Sequence, residues 1–138
     1  MRNDMAFMAW IESLRQPFRA KDLSLDWLEG KECLDAGCGN GLYSVALAFL
    51  SRSRTVGVDI SKGAVGEAQE RFKRVENLEF TVADIKHLPF CDDSFDFVIC
   101  LRVLHHNAYP EEAISELRRV LRIGGLLYTG EALWTKPF

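Results

Sequence analysis

The sequence predicts an α/β fold built on a mainly parallel sheet with helices on both faces. Short apolar runs alternate with longer amphipathic segments from residue 33 to residue 130, which is the pattern of consecutive β-α-β units with right-handed crossovers. The chain has 138 residues, of which 48% are hydrophobic and 27% charged. That length and composition predict one globular domain with a single core.

The first thirty residues precede this alternation and are predicted to form a helical cap. The apolar face of their first helix is built by Met5, Phe7, Met8, Ile11 and Leu14. Pro17 ends that helix, and a second short helix over residues 23–28 stops at Gly30. We therefore predict two regions, a cap over 1–30 and a core over 31–138.

The first half of the core alternates two strands with two helices. Residues 33–36 form a short apolar strand that leads into a glycine-rich turn, and residues 42–50, rich in Ala, Leu and Val, form a helix packed on the sheet. Residues 55–59 form the second strand. Ser61 is the predicted N-cap of the next helix. The apolar side of that helix carries Val65, Ala68 and Phe72.

The second half of the core contains three more strands and one helix. Residues 78–83 alternate as a third strand, and 95–101 are almost continuously apolar, as in a strand covered on both faces. Proline and acids at 109–112 open a helix that is predicted to stop at the glycines 124–125. The buried side of that helix is predicted to hold Ala113, Ile114, Leu117, Val120 and Leu121. Residues 126–130 form the fifth strand.

Charge, cysteine usage and hydropathy argue against several classes of protein. The net charge of −3 offers no basic surplus, which disfavours a nucleic-acid partner. The cysteines form no C-x-x-C pair, so reduced thiols are predicted in place of disulfides or a metal site. These cysteines are Cys33, Cys38, Cys91 and Cys100. With no apolar run near the ~20 residues that span a bilayer and no secretory signal, we predict a cytoplasmic protein with no membrane partner.

The turn after the first strand is the strongest local motif. Residues 35–41 read D-A-G-C-G-N-G, and alternate glycines let the backbone take positive φ and let a ligand approach closely. The spacing is G-x-G-x-G, whereas a dinucleotide fingerprint would need its last glycine at Leu42. Asp35 would repel a phosphate but suits a ligand with ammonium and sulfonium charges. A glycine turn without any ligand is the alternative reading.

Acids at the ends of the second and third strands extend this motif into a site. Parallel strands present their carboxyl ends at one sheet edge, where ligands bind at the switch point. Asp59 offers two carboxylate oxygens to the hydroxyls of a ribose. Asp84, followed by Ile85, offers an acceptor, a backbone N–H and an apolar side chain to an adenine. Taken singly, each acid is equally compatible with an ordinary strand or turn residue.

These motifs together resemble the type 11 class I methyltransferases. The resemblance is carried by C-L-D-A-G-C-G-N-G-L-Y, G-V-D-I-S, A-D-I-K-H-L-P-F-C-D-D-S-F-D-F-V-I-C, V-L-H-H and L-R-R-V-L-R-I-G-G-L-L, over residues 31–130. It implies a Rossmann-like three-layer sandwich with strand order 3-2-1-4-5. The implied cofactor is S-adenosylmethionine, with S-adenosylhomocysteine as product. The residues matched to its binding site are Asp35, Gly37, Cys38, Gly39, Gly41, Asp59, Ile60, Asp84, Ile85 and Leu101.

Two features depart from the family pattern. Arg102 stands where many relatives have an acidic or small polar residue, and a cation there is unfavourable beside a sulfonium. The family sheet normally continues with a sixth and a seventh strand, and we predict a sheet that lacks them and ends at the fifth. The fifth strand would then be an exposed edge through which a dimer could form.

The resemblance leaves the methyl acceptor open among three readings. The leading one is an enzyme that methylates a small molecule. The second is a relative of the tRNA wobble-uridine methyltransferases that needs a partner to supply RNA contacts. The third is a non-catalytic subunit that binds the cofactor or acts as a scaffold. His105 and His106 follow the fourth strand and are candidate proton acceptors, although alignment of the reactants alone can suffice and either histidine equally suits a structural role.

Overall fold

The computed structural model describes residues 5, 25–101, 110–129 and 133–137. A short 3-10 helix, Leu25–Leu28, precedes the sheet. The strands are β1 (Cys33–Ala36), β2 (Thr55–Asp59), β3 (Leu78–Val82), β4 (Phe95–Ile99), β5 (Leu121–Tyr128) and β6 (Leu133–Thr135). The helices are α1 (Leu42–Ser51), α2 (Lys62–Arg71) and α3 (Pro110–Val120).

The sheet has the order β3-β2-β1-β4-β5-β6. The strands β1 to β5 are all parallel to one another, and their arrangement confirms the predicted order 3-2-1-4-5. The chain moves outward from β1 to β3 on one side and then returns to place β4 on the other side of β1. The carboxyl ends of β1 and β4 therefore flank a topological switch point, where ligands of such sheets bind.

A sixth strand corrects the prediction that the sheet ends at β5. β6 pairs antiparallel with β5, with Leu127 opposite Trp134. From Leu126 to Tyr128, β5 therefore has a strand on each side and is not the open edge on which the expected dimer depended. The sequence signal was weak because a three-residue strand shows too little alternation to be distinguished from a loop.

The junction between α3 and β5 also differs from the prediction. The helix ends at Val120, and Leu121 already pairs with Phe95 of β4 before an irregularity in the register. Gly124, with φ of +81°, lies within this irregularity and not at a helix stop. Ile114, predicted to be buried on α3, is 39% exposed. The apolar spacing of α3 continued smoothly into the strand, which concealed the boundary.

The core lies on both faces of the sheet, as the apolar strands require. One cluster joins β1, β2 and β4 to α3, with the buried members Leu34, Val58, Val98, Leu117 and Val120. Two clusters cover the other face, where α1, α2 and the 3-10 helix pack; their members include Leu28, Leu47, Val65, Ala68 and Phe80. Burial of each large side chain among them contributes about 1.5–3 kcal/mol. The strands that carry the site therefore pack on a stable core.

Arg119 on α3 binds the segment that connects β3 to β4. Its guanidinium donates hydrogen bonds to the carbonyl oxygens of Leu88 and Phe90, at 3.0 and 2.7 Å, and to the carboxylate of Asp92 at 2.9 Å. Glu116 completes the arrangement by accepting from both Arg119 and the N–H of Leu88. The planar guanidinium thus satisfies several backbone carbonyls of a segment that has no sheet partners of its own.

Replacing Arg119 with alanine is expected to lower the free energy of unfolding by about 1–3 kcal/mol, because charged hydrogen bonds to buried or half-buried acceptors are lost. Urea denaturation of the two proteins measures the difference. Arg118→Ala is the matched control, since Arg118 is exposed on the same turn of α3 and exposed substitutions stay within about 0.5 kcal/mol. Equal losses in both variants would contradict the role given to Arg119.

Candidate functional site

The glycine turn connects β1 to α1 at the carboxyl edge of the sheet. Gly37, Gly39 and Gly41 have φ of +81°, +54° and +88°, values that side chains with a Cβ rarely adopt. The N–H groups of Gly37 and Cys38 both donate to the carbonyl of Val58, at 2.8 Å. The turn therefore leans towards the end of β2, which brings it next to Asp59.

Phe80 supports the turn from below, a role that the sequence analysis did not identify. A Cβ added at Gly41 would lie 2.6 Å from the Phe80 ring, and one added at Gly57 would lie 2.7 Å from it. Phe80 itself is 8% exposed on β3. The ring fills the space that the two missing side chains leave, so packing requires glycine at both positions, and the positive φ of Gly41 requires it there a second time.

Asp59 connects the turn to the second helix. One carboxylate oxygen accepts a hydrogen bond from the N–H of Gly39 and the other accepts from the N–H of Ser61, both at 2.9 Å. Ser61 in turn caps α2 by accepting from the N–H of Ala64 at 3.2 Å, as predicted. Each carboxylate oxygen retains a further lone pair. The fixed, half-buried carboxylate of Asp59 can therefore accept from two ligand hydroxyls.

The residues beside Asp59 form an apolar surface next to this carboxylate. Ile60 follows it directly and is 70% exposed. Val82, which is paired with Asp59 in the β2–β3 register, is 43% exposed. Exposed branched side chains beside an acid form a surface on which a flat aromatic base can lie.

Asp84 and Ile85 have different surroundings. Asp84 is half-buried after β3, and its carboxylate accepts from the N–H of Lys86 at 2.9 Å. Ile85 is 6% exposed and belongs to the core cluster under α3. The side chain of Ile85 therefore packs inward, and Asp84 is the member of the pair whose side chain reaches the sheet edge.

Asp35 lies beneath the turn. It is 2% exposed, and its carboxyl group accepts a hydrogen bond of 2.6 Å from the hydroxyl of Ser44 on α1. Burial raises the pKa of Asp35 from its ordinary value near 4 to about 7, the Ser44 hydrogen bond lowers it, and the neighbouring Asp59 raises it. At neutral pH this carboxyl group is divided between its neutral and charged forms.

The raised pKa of Asp35 predicts a pH-dependent stability. The unfolded chain loses this proton near pH 4, whereas the folded protein keeps it up to about pH 7. Hence Asp35 makes the free energy of unfolding fall as pH rises between these values, by roughly 1.4 kcal/mol per pH unit at most. Above pH 7 its contribution is level. Denaturation of the wild type and Asp35→Asn at pH 5 and 7 isolates this slope, and identical slopes would refute it.

Of the remaining predicted site residues, Cys38 and Leu101 lie within the part of the chain that the structure describes, and the two histidines do not. Cys38 is 8% exposed within the turn, and burial raises the pKa of its thiol well above the ordinary range. Leu101 is half-buried after β4 and packs against a core cluster of the α1 face. Arg102, His105 and His106 lie outside the described residues, as do most residues of the predicted N-terminal cap.

The geometry fits an adenosyl group attached to a cation. A Cβ added at Gly39 would meet no atom within 4 Å, so the outer side of the turn is open to a ligand. The N–H of Gly39 is already engaged by Asp59, which removes a donor that a phosphate would need. Carboxylates on β1, β2 and after β3 favour hydroxyls and positive charge over a pyrophosphate.

Comparison with known proteins gives the family. A sequence profile described as a methyltransferase domain matches residues 34–129. An uncharacterized protein of Streptomyces fradiae is 41% identical over 80% of this chain and 33% of its own length. A 27-O-demethylrifamycin SV methyltransferase of Amycolatopsis mediterranei is 36% identical over 75% of this chain and 39% of its own length. A tRNA U34 carboxymethyltransferase of Nautilia profundicola is 31% identical over 79% of this chain and 42% of its own length.

Solved structures agree with this assignment. The 4+2 cyclase SpnF superposes with a TM-score of 0.73 at 26% identity, over 85% of this chain and 43% of that one. The YcgJ protein of Bacillus subtilis gives 0.71 at 30% identity, over 84% and 48%. This chain thus spans between a third and a half of these relatives. It belongs to the methyltransferase domain family of type 11, and its cofactor is S-adenosylmethionine.

Proposed function

We propose that the protein transfers a methyl group from S-adenosylmethionine to a small-molecule acceptor. The observation that carries this proposal is the Asp59 carboxylate, fixed by the N–H groups of Gly39 and Ser61 at the open side of the glycine turn. A carboxylate held in this way is oriented before the ligand arrives, which lowers the entropic cost of binding.

Five residues of the site take defined roles in the proposal. Asp59 accepts the two ribose hydroxyls, Ile60 covers one face of the adenine, and Asp84 accepts from its amino group. The backbone around Gly39 faces the methionine portion, with Asp35 below it. When bound, S-adenosylmethionine supplies an activated methyl carbon on a sulfonium leaving group. The protein then has to align the acceptor and exclude water.

A small molecule is favoured over a polyanion as the acceptor. The net charge is −3, and the described edge of the site carries Asp59 and Asp84, which repel phosphates. The Amycolatopsis relative, named for methylation of an O-demethylated rifamycin, is 36% identical. We therefore propose a hydroxyl group of a small molecule as the methyl acceptor.

A tRNA acceptor is the second candidate because of one specific observation. The Nautilia tRNA U34 carboxymethyltransferase aligns with this chain over 128 residues at 31% identity. Binding of tRNA would require basic groups to neutralise phosphates, and a partner protein would have to supply them.

Transfer of tritium from methyl-labelled S-adenosylmethionine separates the two acceptors. Purified protein is incubated in parallel with 27-O-demethylrifamycin SV, with demethylmenaquinone and with bulk tRNA. Label in the organic extract of either small-molecule reaction supports the proposal. Label in acid-precipitated tRNA, with none in the extracts, contradicts it. One structural neighbour is named a cyclase, and cyclisation would leave the mass of the compound unchanged. Mass spectrometry should instead show that the product has gained one methyl group.

Asp59→Ala serves as the negative control, since it removes the ribose acceptor and should abolish transfer. Glu79→Ala is the matched control because Glu79 is an exposed acid on β3 whose recorded partner is the surface residue Arg54. Loss of transfer in both variants would indicate a general effect on folding and not a role for Asp59.

A further inference from the structure

Asp35 and Ser44 form a buried, hydrogen-bonded pair beneath the glycine turn. Ser44 is fully buried in the first turn of α1, and its hydroxyl oxygen lies 2.6 Å from one carboxyl oxygen of Asp35. A Cβ at Gly57 would lie 2.8 Å from that hydroxyl oxygen. The pair therefore lies where β1, β2 and α1 pack together, in a space that a side chain at position 57 would fill.

Within residues 25–101, 110–129 and 133–137, no cationic group is recorded among the causes that shift the pKa of Asp35. Asp59 faces it from β2, Cys38 from the turn and Cys100 from the end of β4, and each of these is acidic or neutral. The ion pairs formed within the described residues all use other carboxylates. Ionisation of Asp35 therefore leaves a desolvated negative charge supported mainly by the Ser44 hydroxyl, a costly state without a cation.

A cationic ligand above the turn changes this balance. Asp35 precedes Gly37 and Cys38 of the turn by two and three residues. Coulomb interactions in a poorly solvated interior extend further than in water. A positive charge bound at the open face of the turn would stabilise the carboxylate and leave the neutral acid unaffected. By linkage, the ligand then binds the ionised protein more tightly than the neutral one.

We propose that Ser44 is a positioning residue that holds Asp35 for ionisation, and that binding of the cofactor's cationic end releases the proton of Asp35 to solvent. The proposal rests on the proposed function, because it uses the positive charge of S-adenosylmethionine. In the step, the O–H bond of the Asp35 carboxylic acid breaks and the proton passes to buffer. The Ser44 hydroxyl donates its hydrogen bond to the carboxylate that remains.

Calorimetric titration with S-adenosylmethionine, which carries the sulfonium charge, tests the proton release. At pH 6, in buffers of different ionisation heat, wild-type protein should release close to one proton per ligand bound. Its dissociation constant should rise about tenfold from pH 7.0 to pH 5.5, where the ligand's α-amino group stays protonated. Wild-type binding without proton release at pH 6 would overturn the proposal, whatever the variants do.

Variants assign the proton to this pair. Asp35→Asn should remove both the proton release and the pH dependence. Ser44→Ala removes the donor that favours the charged form, so its loss of affinity should begin at a higher pH than in the wild type. Ser51→Ala is the matched control, because Ser51 is equally buried at the far end of the same helix. It should retain the wild-type profile.

Two negative results have different meanings. If the wild type shows no saturable binding of S-adenosylmethionine at any pH, the proposed function fails and this inference with it. If the wild type binds but Asp35→Asn shows the same pH profile, only the present inference is overturned. A Ser44→Ala profile identical to that of the wild type would overturn the positioning role of Ser44.

Discussion

Replacing Gly41 with alanine is expected to abolish cofactor binding and to lower the free energy of unfolding by about 2–5 kcal/mol. The new Cβ would lie 2.6 Å from the ring of Phe80, which is itself packed in the core, and overpacking of this kind costs about 1–3 kcal/mol. The φ of +88° at Gly41 adds about 1–2 kcal/mol for any residue with a Cβ. Urea denaturation and calorimetric titration measure the two losses.

The structure provides a control and a second variant for this prediction. Gly66 lies in α2 with open space around it, so Gly66→Ala should instead stabilise the protein by about 0.5–1 kcal/mol. In a Phe80→Ala background the steric part of the Gly41→Ala cost should disappear, and the part due to φ should remain. An undiminished cost in that background would show that Phe80 does not support the turn.

Asp59→Ala is expected to weaken binding of S-adenosylhomocysteine at least about 100-fold. The change removes the acceptor for the ribose hydroxyls and releases the N–H of Gly39, which the carboxylate holds at 2.9 Å. Hydrogen bonds to a charged group contribute about 1.5–3 kcal/mol each, and two of them account for the expected effect. Calorimetric titration at pH 7.5 gives the dissociation constants.

Asp59→Asn separates the two roles of the carboxylate. The amide keeps one acceptor oxygen and the same shape, so this variant should bind with an affinity between those of the wild type and Asp59→Ala. Wild-type affinity in the alanine variant would exclude Asp59 from the ribose site. The circular dichroism spectra of both variants should match that of the wild type, because Asp59 lies at the edge of the sheet and not in its core.

Much of the fold follows from the sequence because local and global signals agree in it. The apolar run at 95–101 and the alternation at 78–83 placed β4 and β3 within two residues of their observed bounds. Ser61 and the acids of the first turn of α3 marked the helix starts. Successive β-α-β units then restrict the topology to few arrangements.

The parts that were missed depend on long-range contacts. Leu121 continues the apolar spacing of α3, and only its pairing with Phe95 makes it the first residue of a strand. β6 has three residues, and its alignment with β5 is fixed partly by the hydrogen bond from the N–H of Gly124 to the carbonyl of Lys136. Neither feature leaves a periodic pattern that a local reading can detect.

The position of the candidate site was predictable from the sequence, but the burial of its individual side chains was not. The glycine spacing and the strand-end position of Asp59 indicated one ligand at one edge, and the hydrogen bond between Asp59 and Gly39 joins these two features. The sequence could not reveal that Asp35 and Ile85 are buried while Ile60 is exposed. Residue type does not say on which side of a turn a short side chain lies.

The central claim is that this edge of the sheet binds S-adenosylmethionine, and its most direct test is thermal unfolding of the wild type with different nucleotides. S-adenosylmethionine and S-adenosylhomocysteine should each raise the melting temperature, and at about 100 times the dissociation constant the gain in free energy should reach about 2.7 kcal/mol. NAD should leave the melting temperature unchanged. Stabilisation by NAD, with none by either sulfur nucleoside, would contradict the account.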